Sequence, residues 1–165
     1  MSPTMIYQSS QSTRATARRS QDMEFQDYEN FVNANNKRGI ITTYRRNGAG
    51  HISIVVVGAY QGKAAYVIVH GTSVKVRNLQ RDPRCTVTAV SEGWRSCVSV
   101  EGTSTTMSYH DTDAETMRVE LREVYRACSA HGDHPDWEEY DQAMVDQDAV
   151  IVLVEPERVY GFVRG

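Results

Sequence analysis

The feature that most constrains the fold is a block between residues 39 and 105, in which short β-forming segments alternate with turn signals. Asn47-Gly48 separates the first two segments, and this pair favours a hairpin because both residues tolerate positive φ angles. The pattern predicts strands over 39–45, 51–57, 64–70, 85–90 and 95–105, and a sixth, bent strand over 150–162 interrupted at Pro156. The β-branched end of the second strand further predicts burial on both of its faces.

Helical patterns flank this block. We predict helices over 24–37 and within 71–84, the latter with Thr72 or Ser73 as N-cap and Pro83 as its stop. A third helix is expected after a cap at Asp111 or Asp113, and a fourth is expected to begin at Pro135. Six strands with a few edge helices predict a mainly β (α+β) protein, arranged as a small antiparallel barrel because closure removes exposed edges.

Composition limits the classes of function. The 165 residues suit one domain, which we place at 24–165 after a flexible N-terminal tail over 1–23 that is rich in Ser, Thr, Gln and Arg. A net charge of −3 gives no global attraction to nucleic acid, and neither a membrane-spanning run nor a signal peptide is expected. Three separated cysteines, at 85, 97 and 128, are typical of reduced thiols in a cytoplasmic protein.

The segment Gly71–Arg84 is the candidate ligand site. A strand ends at a glycine, two hydroxyl residues follow, and four basic side chains come next, at Lys75, Arg77, Arg81 and Arg84. Such a junction brings free backbone N–H groups and cations together, as phosphate-binding sites do. The alternative is a solvated surface helix between two strands.

Other constellations carry weaker signals. Cys128, His131 and His134 are metal-ligand types, but a structural zinc site wants four ligands, so we expect a helix-to-helix turn and no metal. Trp94 at a strand start either stacks on a planar ligand or is a partly exposed core residue. Glu101-Gly102 within a strand predicts a bulge or a close backbone approach. No nucleophile motif stands out, so an enzyme of this kind would depend on a cofactor.

Taken in order, these segments resemble the split β-barrel flavin and deazaflavin oxidoreductases, the pyridoxamine 5'-phosphate oxidase-like superfamily. The resemblance covers roughly residues 28–162 and is carried by Lys37–Thr43, the Asn47-Gly48 hairpin leading to Ser53, Lys75–Arg84, Gly93-Trp94, Val100–Thr103, His134–Tyr140, Ala143–Val145 and Glu157–Gly161. Within the superfamily the chain is most similar to the branch that uses the deazaflavin coenzyme F420. The implied fold is a six-stranded antiparallel split β-barrel with peripheral helices, of the FMN-binding type.

The resemblance also implies a homodimer with two cofactor sites at the subunit interface. Lys75 would hold the cofactor phosphate, and the strand residues Ser53, Ile54, Val55 and Val56 would lie along the ring system. The partner subunit would contribute Trp94, Arg95 and Ser96. Arg77 and Asn78 also match the pattern and hold either the ligand or the loop, whereas Ser73 departs from it, since many relatives carry an arginine there. We expect no catalytic residue from the protein; His51 is the nearest candidate proton donor and is counted only among the cofactor-binding positions.

Charge separates the two candidate cofactors. The FMN phosphate carries close to two negative charges, and FMN oxidases of the superfamily place extra basic residues on the strand before the motif. Here that strand, 51–57, has no Lys or Arg, which favours the singly charged phosphodiester of coenzyme F420. We therefore expect an F420-dependent oxidoreductase that transfers a hydride between the reduced cofactor and a small organic substrate. The alternatives are an FMN-dependent enzyme of the pyridoxamine 5'-phosphate oxidase type, or a non-catalytic carrier of F420 or flavin.

Overall fold

The computed structural model describes residues 21–164, which form eight strands and four helices. The strands are β1 (Gln21–Met23), β2 (Arg38–Tyr44), β3 (Gly50–Val56), β4 (Gly58–Tyr60), β5 (Lys63–Ile68), β6 (Arg84–Val90), β7 (Cys97–Ser108) and β8 (Val150–Phe162). The helices are α1 (Phe25–Ala34), α2 (Val74–Arg81), α3 (Ala114–Cys128) and α4 (Trp137–Asp146). The expected tail over 1–23 falls outside the described residues as far as position 20, and its last three residues form β1.

The strands make one sheet in the order β3-β2-β6-β7-β8-β5-β4, in which every pairing is antiparallel and β1 pairs with β8. The predicted mainly antiparallel β fold with peripheral helices is therefore confirmed. Eight strands occur where six were expected because β1 and β4 are three residues each, too short to give an alternating pattern.

The β2–β3 hairpin forms where the sequence predicts it. Gly48 adopts φ +81°, and its N–H donates to the carbonyl of Arg45 at 2.9 Å. The turn sets the register that places Tyr44 opposite Gly50 and Arg38 opposite Val56. The residues of β3 are therefore aligned along β2 by a locally encoded turn.

A bulge interrupts the pairing of β7 with β8, where the register shifts between Glu101 and Gly102. A Cβ atom at Gly102 would overlap the carbonyl oxygen of Glu155, so the bulge brings two backbones into close approach. The expectation for Glu101-Gly102 is confirmed. Pro156 lies opposite Gly102 within a continuous β8, so the strand bends around the bulge and does not break at the proline.

Two apolar cores cover the two faces of β8. Val152 and Val154 belong to the core under α1, together with Tyr28 of that helix. Ile151 and Leu153 belong to a second core, beneath α3 and α4. Because successive strand residues face opposite sides, β8 is sandwiched between these cores and fixes α3 and α4 against the sheet.

Two local expectations are wrong. The outer row of β3 is not buried: Ile52, Ile54 and Val56 are 69%, 80% and 57% exposed, because β3 is an edge strand and no described element covers that row. Helix α4 begins at Trp137, not at Pro135, because the Asp136 carboxylate caps it by accepting from the backbone amides of Glu138 and Glu139. No helix within residues 21–164 is both long and apolar enough to cross a membrane.

Candidate functional site

The junction between β5 and α2 has the geometry of an anion site. Ser73 is the N-cap of α2 in an extended conformation, as predicted, but its hydroxyl caps no backbone amide. That Oγ atom is buried and has no hydrogen-bond partner among the described residues. Because first-turn amides lack acceptors within the helix, the amides of Val74, Lys75 and Val76 and the Ser73 hydroxyl form one group of uncommitted donors.

Gly71 allows the chain to pass close to the end of α4. A Cβ atom at Gly71 would meet the backbone carbonyl of Asp148 at 2.9 Å and would crowd its carboxylate. The N–H of His70 donates to Gln147 at 2.8 Å, which ties the same turn to the α4–β8 connection. The first turn of α2 is therefore held in place by contacts that a larger side chain at 71 would break.

Lys75 supplies the positive charge at this junction. Its side chain is half-buried, and it forms no ion pair with any carboxylate in residues 21–164. The surrounding sequence is strongly basic: residues 37–95 contain ten Lys and Arg but two Asp and Glu, a net charge of +8. Residues 96–165 contain five Lys and Arg and fifteen Asp and Glu, a net charge of −10. The segment that carries α2 is therefore the part of the chain that favours anions.

Lys75 borders a cavity of about 530 Å³ that reaches from α2 to the end of α3. Most of its wall is apolar. The lining residues are Ile54, Val55 and Val56 of β3, Val67, Ile68 and Val69 at the end of β5, Tyr125, Cys128, Ser129, Ala130 and His131 of α3 and the segment after it, Tyr140 and Met144 of α4, and Asn36. A planar, largely apolar ligand with one anionic end fits such a slot.

Two polar side chains of the cavity are engaged within the protein. Burial raises the pKa of the Cys128 thiol to about 12, and its Sγ donates to the carbonyl of Ala65 at 3.4 Å. The Tyr140 hydroxyl donates to the Leu121 carbonyl at 3.2 Å, and burial raises its pKa. Asn36 differs, because its Oδ1 atom is buried and has no partner in the described chain. That oxygen is an acceptor available to a ligand N–H group.

Arg77 and Asn78 of α2 lie away from the cavity of Lys75 and make different contacts. Arg77 lies two residues after Lys75, about 200° around the axis, and borders a different groove of about 500 Å³ with Arg46 and Arg81. Asn78 is buried; its Nδ2 donates to Thr43 Oγ1 at 3.0 Å and its Oδ1 accepts from Arg81 at 3.1 Å. Asn78 thus joins α2 to β2, while Arg77 points away from the cavity of Lys75.

The remaining predicted residues divide between β3 and the β6–β7 turn. Ile54, Val55 and Val56 border the cavity, whereas Ser53 and His51 precede it on the same strand, and His51 Nδ1 is buried without a described partner. A separate turn carries the other three predicted residues, Trp94, Arg95 and Ser96.

That turn presents Trp94 to solvent. Trp94 is 65% exposed at φ +57°, and its N–H donates to the carbonyl of Ser91 at 2.9 Å. The Ser91 hydroxyl accepts from the next two amides, those of Arg95 and Ser96, at 3.2 and 3.1 Å. None of these three side chains borders the cavity of its own chain, so Trp94 is available to a partner surface.

The segment between α3 and α4 borders the cavity, which no local sequence pattern indicates. Its histidines are of metal-ligand type, but the structure separates them: His131 borders the cavity, while the His134 ring packs on Tyr125 and Trp137. Cys128 is buried against Ala65. In the described part of the chain no three His, Cys, Asp or Glu side chains gather in an arrangement that could hold a metal ion.

Comparison with known proteins places this architecture. The family model described as pyridoxamine 5'-phosphate oxidase matches residues 26–162. The fold is similar to that of a conserved hypothetical protein from Mycobacterium tuberculosis (TM-score 0.64, 19% identity, covering 85% of this chain and 84% of that one). It is also similar to a pyridoxamine 5'-phosphate oxidase-related, FMN-binding protein from Nostoc punctiforme (TM-score 0.59, 12% identity, covering 81% of each chain). An F420 reductase has a similar fold too (TM-score 0.56, 16% identity, covering 79% of this chain and 94% of that one).

Because the family model covers most of the chain and the fold agrees with these structures, the protein belongs to the pyridoxamine 5'-phosphate oxidase family, within the split-barrel superfamily that includes flavin- and deazaflavin-binding proteins.

Proposed function

We propose that the protein binds coenzyme F420, with its phosphate at the start of α2 and its ring system along β3, and is an F420-dependent oxidoreductase. The observation that carries this proposal is the cluster of uncommitted donors at the α2 N-terminus, next to an apolar cavity. A buried hydroxyl without a partner is costly in a free protein, by about 1–3 kcal/mol, unless a ligand or water satisfies it. Ser73 and Lys75 would together receive the phosphate.

The residues present fit a deazaflavin better than FMN. Lys75 is the one Lys or Arg among the described residues that line the cavity, and Arg77 faces another groove. One cation with first-turn amides and a hydroxyl suits the single charge of a phosphodiester, whereas a phosphate monoester carries close to two. The absence of an arginine at Ser73 is consistent with the same conclusion, since a neutral donor replaces a second cation.

The ring would occupy the apolar part of the cavity. Ile54, Val55 and Val56 offer an apolar wall together with strand backbone groups, and the unpartnered Asn36 Oδ1 can accept a hydrogen bond from an N–H group at the ring edge. When bound and reduced, the deazaflavin supplies a hydride to an electron-poor substrate. The protein fixes the ring, excludes water from one face and leaves room for a small organic molecule.

We further propose that two chains form a homodimer through the exposed row of β3. Ile52, Ile54 and Val56 are neighbours on the outer face of an edge strand, and such a contiguous apolar row marks an interaction surface. Trp94 from the partner subunit would then cover part of the cofactor. An Ile54→Glu variant is expected to sediment as a monomer while wild-type protein sediments as a dimer; a monomeric wild type would contradict the dimer.

The cofactor assignment is tested by separate titrations with oxidised coenzyme F420 and with FMN, followed by ligand fluorescence. We expect saturable F420 binding below about 50 μM and FMN binding at least about tenfold weaker. Lys75→Met should weaken F420 binding by about 10- to 150-fold. The matched control is Lys63→Met, since Lys63 lies outside the cavity and pairs with Glu155 at 3.3 Å. No binding of F420, or tighter binding of FMN, would overturn the assignment.

Turnover is a separate question from binding. Reduced F420 should be oxidised when the protein is supplied with a panel of enones, quinones and nitroaromatic compounds. Binding of F420 without oxidation across that panel would contradict the enzymatic role and favour a carrier.

A further inference from the structure

A second groove lies on the side of α2 that faces away from Lys75, and three arginines border it. Its volume is about 500 Å³, which is enough for a small molecule. The lining residues are Arg46, from the turn between β2 and β3, and Val74, Arg77, Asn78, Gln80 and Arg81 of α2. The proposed cofactor site uses none of these three arginines.

The charges of the three arginines are not neutralised within the fold. Arg46, Arg77 and Arg81 form no ion pair with any carboxylate in residues 21–164. Arg77 and Arg81 are four residues apart and therefore lie on one face of α2, where like charges repel each other. The hairpin turn adds a third positive charge to this face. The groove is therefore a concentrated positive surface without a described counter-ion.

The carboxylate nearest in sequence is committed to another arginine. Asp82 accepts hydrogen bonds from Arg84, from Nε to Oδ1 at 2.9 Å and from Nη2 to Oδ2 at 2.6 Å. These bonds lower the pKa of the Asp82 carboxyl to about 2, so it remains ionised and paired. The Arg84 guanidinium also stacks on the Tyr44 ring, 4.7 Å from its centroid. This pair is neutral as a unit and leaves the charge of the groove unbalanced.

The guanidinium of Arg81 is held in position by the protein. Its Nη2 atom donates to the carbonyl of Tyr44 and to Asn78 Oδ1, the latter at 3.1 Å. Asn78 is itself buried and fixed, because its Nδ2 donates to Thr43 Oγ1 at 3.0 Å. The Nε and Nη1 atoms of Arg81 have no described partner. Arg81 therefore offers donors that are already oriented, which lowers the entropy cost of binding a ligand.

The chemistry of the groove indicates the class of ligand. Guanidinium groups form paired, charge-assisted hydrogen bonds with phosphate and carboxylate groups. A long polyanion such as nucleic acid is disfavoured, because residues 96–165 carry a net charge of −10 and would repel a chain that extends across them. Three arginines around one small volume instead favour a compact ligand with several negative charges.

We propose that this groove is a second ligand site, separate from the cofactor cavity, and that it binds a compact polyanion with three or more phosphate or carboxylate charges. Arg81 makes the fixed contact, while Arg77 and Arg46 contact the ligand from the helix and from the hairpin. Gln80 can add a side-chain amide donor. The site does not depend on which cofactor the protein binds.

The test is isothermal titration calorimetry of the cofactor-free protein with tripolyphosphate and, separately, with citrate at low ionic strength. We expect one saturable site per chain with a Kd below about 1 mM for at least one of the two. Arg77→Met and Arg46→Met should each raise that Kd by about tenfold, the effect of losing one charge-assisted contact. The tighter of the two ligands identifies the source of the charge as phosphate or carboxylate.

The matched control is Arg38→Met. Arg38 is exposed, belongs to the same basic segment, has no ion pair among the described residues and lies at the other end of β2 from Tyr44. This variant should bind like the wild type. Absence of binding by both ligands, or an equal loss in Arg38→Met, would overturn the proposal. Loss of binding in Lys75→Met with retention in Arg77→Met would also overturn it, since the anion would then occupy the cofactor cavity.

Discussion

Replacing Ser73 with alanine is expected to weaken cofactor binding without lowering the stability of the cofactor-free protein. An N-cap serine ordinarily contributes about 0.5–2 kcal/mol, because its oxygen accepts a first-turn amide. Here the Ser73 hydroxyl makes no such bond and is buried without a described partner. Its removal therefore deletes an unsatisfied polar group and no capping interaction, so stability should be unchanged or slightly higher.

The Ser73→Ala variant is expected to lose affinity for the cofactor. A net contribution of about 1.5–3 kcal/mol for one hydrogen bond to the charged phosphate corresponds to a Kd increase of about 10- to 150-fold. Thermal melting of the cofactor-free protein and F420 titration of the same preparation measure the two effects.

The matched control is Asp113→Ala at the start of α3. The Asp113 carboxylate accepts the N–H of Thr116 at 3.0 Å, so this variant loses a working cap and should melt at a lower temperature with unchanged F420 affinity. A drop in the melting temperature of Ser73→Ala equal to that of Asp113→Ala would refute the reasoning about the free hydroxyl. Unaltered F420 affinity in Ser73→Ala would refute its role in holding the phosphate.

Three further predictions concern the cation, the bulge and the thiols. Lys75→Met should raise the F420 Kd by about 10- to 150-fold, the effect of losing one charge-assisted contact, with little change in melting temperature. Gly102→Ala should destabilise the protein by about 1–3 kcal/mol in thermal unfolding, because its methyl group would overlap the Glu155 carbonyl; an unchanged melting temperature would refute that contact. Alkylation at pH 8, followed by mass spectrometry, should modify half-buried Cys97 first, because burial raises the pKa of Cys128 to about 12 and leaves little thiolate; reaction should accelerate as pH rises, and early modification of Cys128 would contradict this.

Local chemistry explains why much of the fold is predictable from the sequence. The Asn47-Gly48 turn depends on the positive φ of Gly48, and the Glu101-Gly102 bulge depends on the missing Cβ atom of Gly102, so each leaves a direct trace in the sequence. The start of α4 is less certain from sequence, because Pro135 as first residue and Asp136 as cap are both locally acceptable. The hydrogen bonds that Asp136 makes decide between them.

The site is predictable only in part, for a physical reason. Lys75 and the β3 residues 54–56 lie in segments with clear signals, and the structure brings them to one cavity. The exposure of Ile54 could not be read from a β-branched run, because it depends on the position of β3 at the sheet edge. The contributions of Asn36 and His131 depend on chain segments about ninety residues apart meeting in space, which no local pattern records.

The most direct test of the central claim is the location of the bound cofactor, measured by backbone amide chemical shifts of isotopically labelled protein during titration with oxidised F420. We expect the largest shifts at Lys75 and Val76 in the first turn of α2 and along residues 54–56 of β3, with small shifts at Arg46, Arg77 and Arg81 of the other groove. Saturable shifts confined to that groove, or to surfaces away from the start of α2, would contradict it.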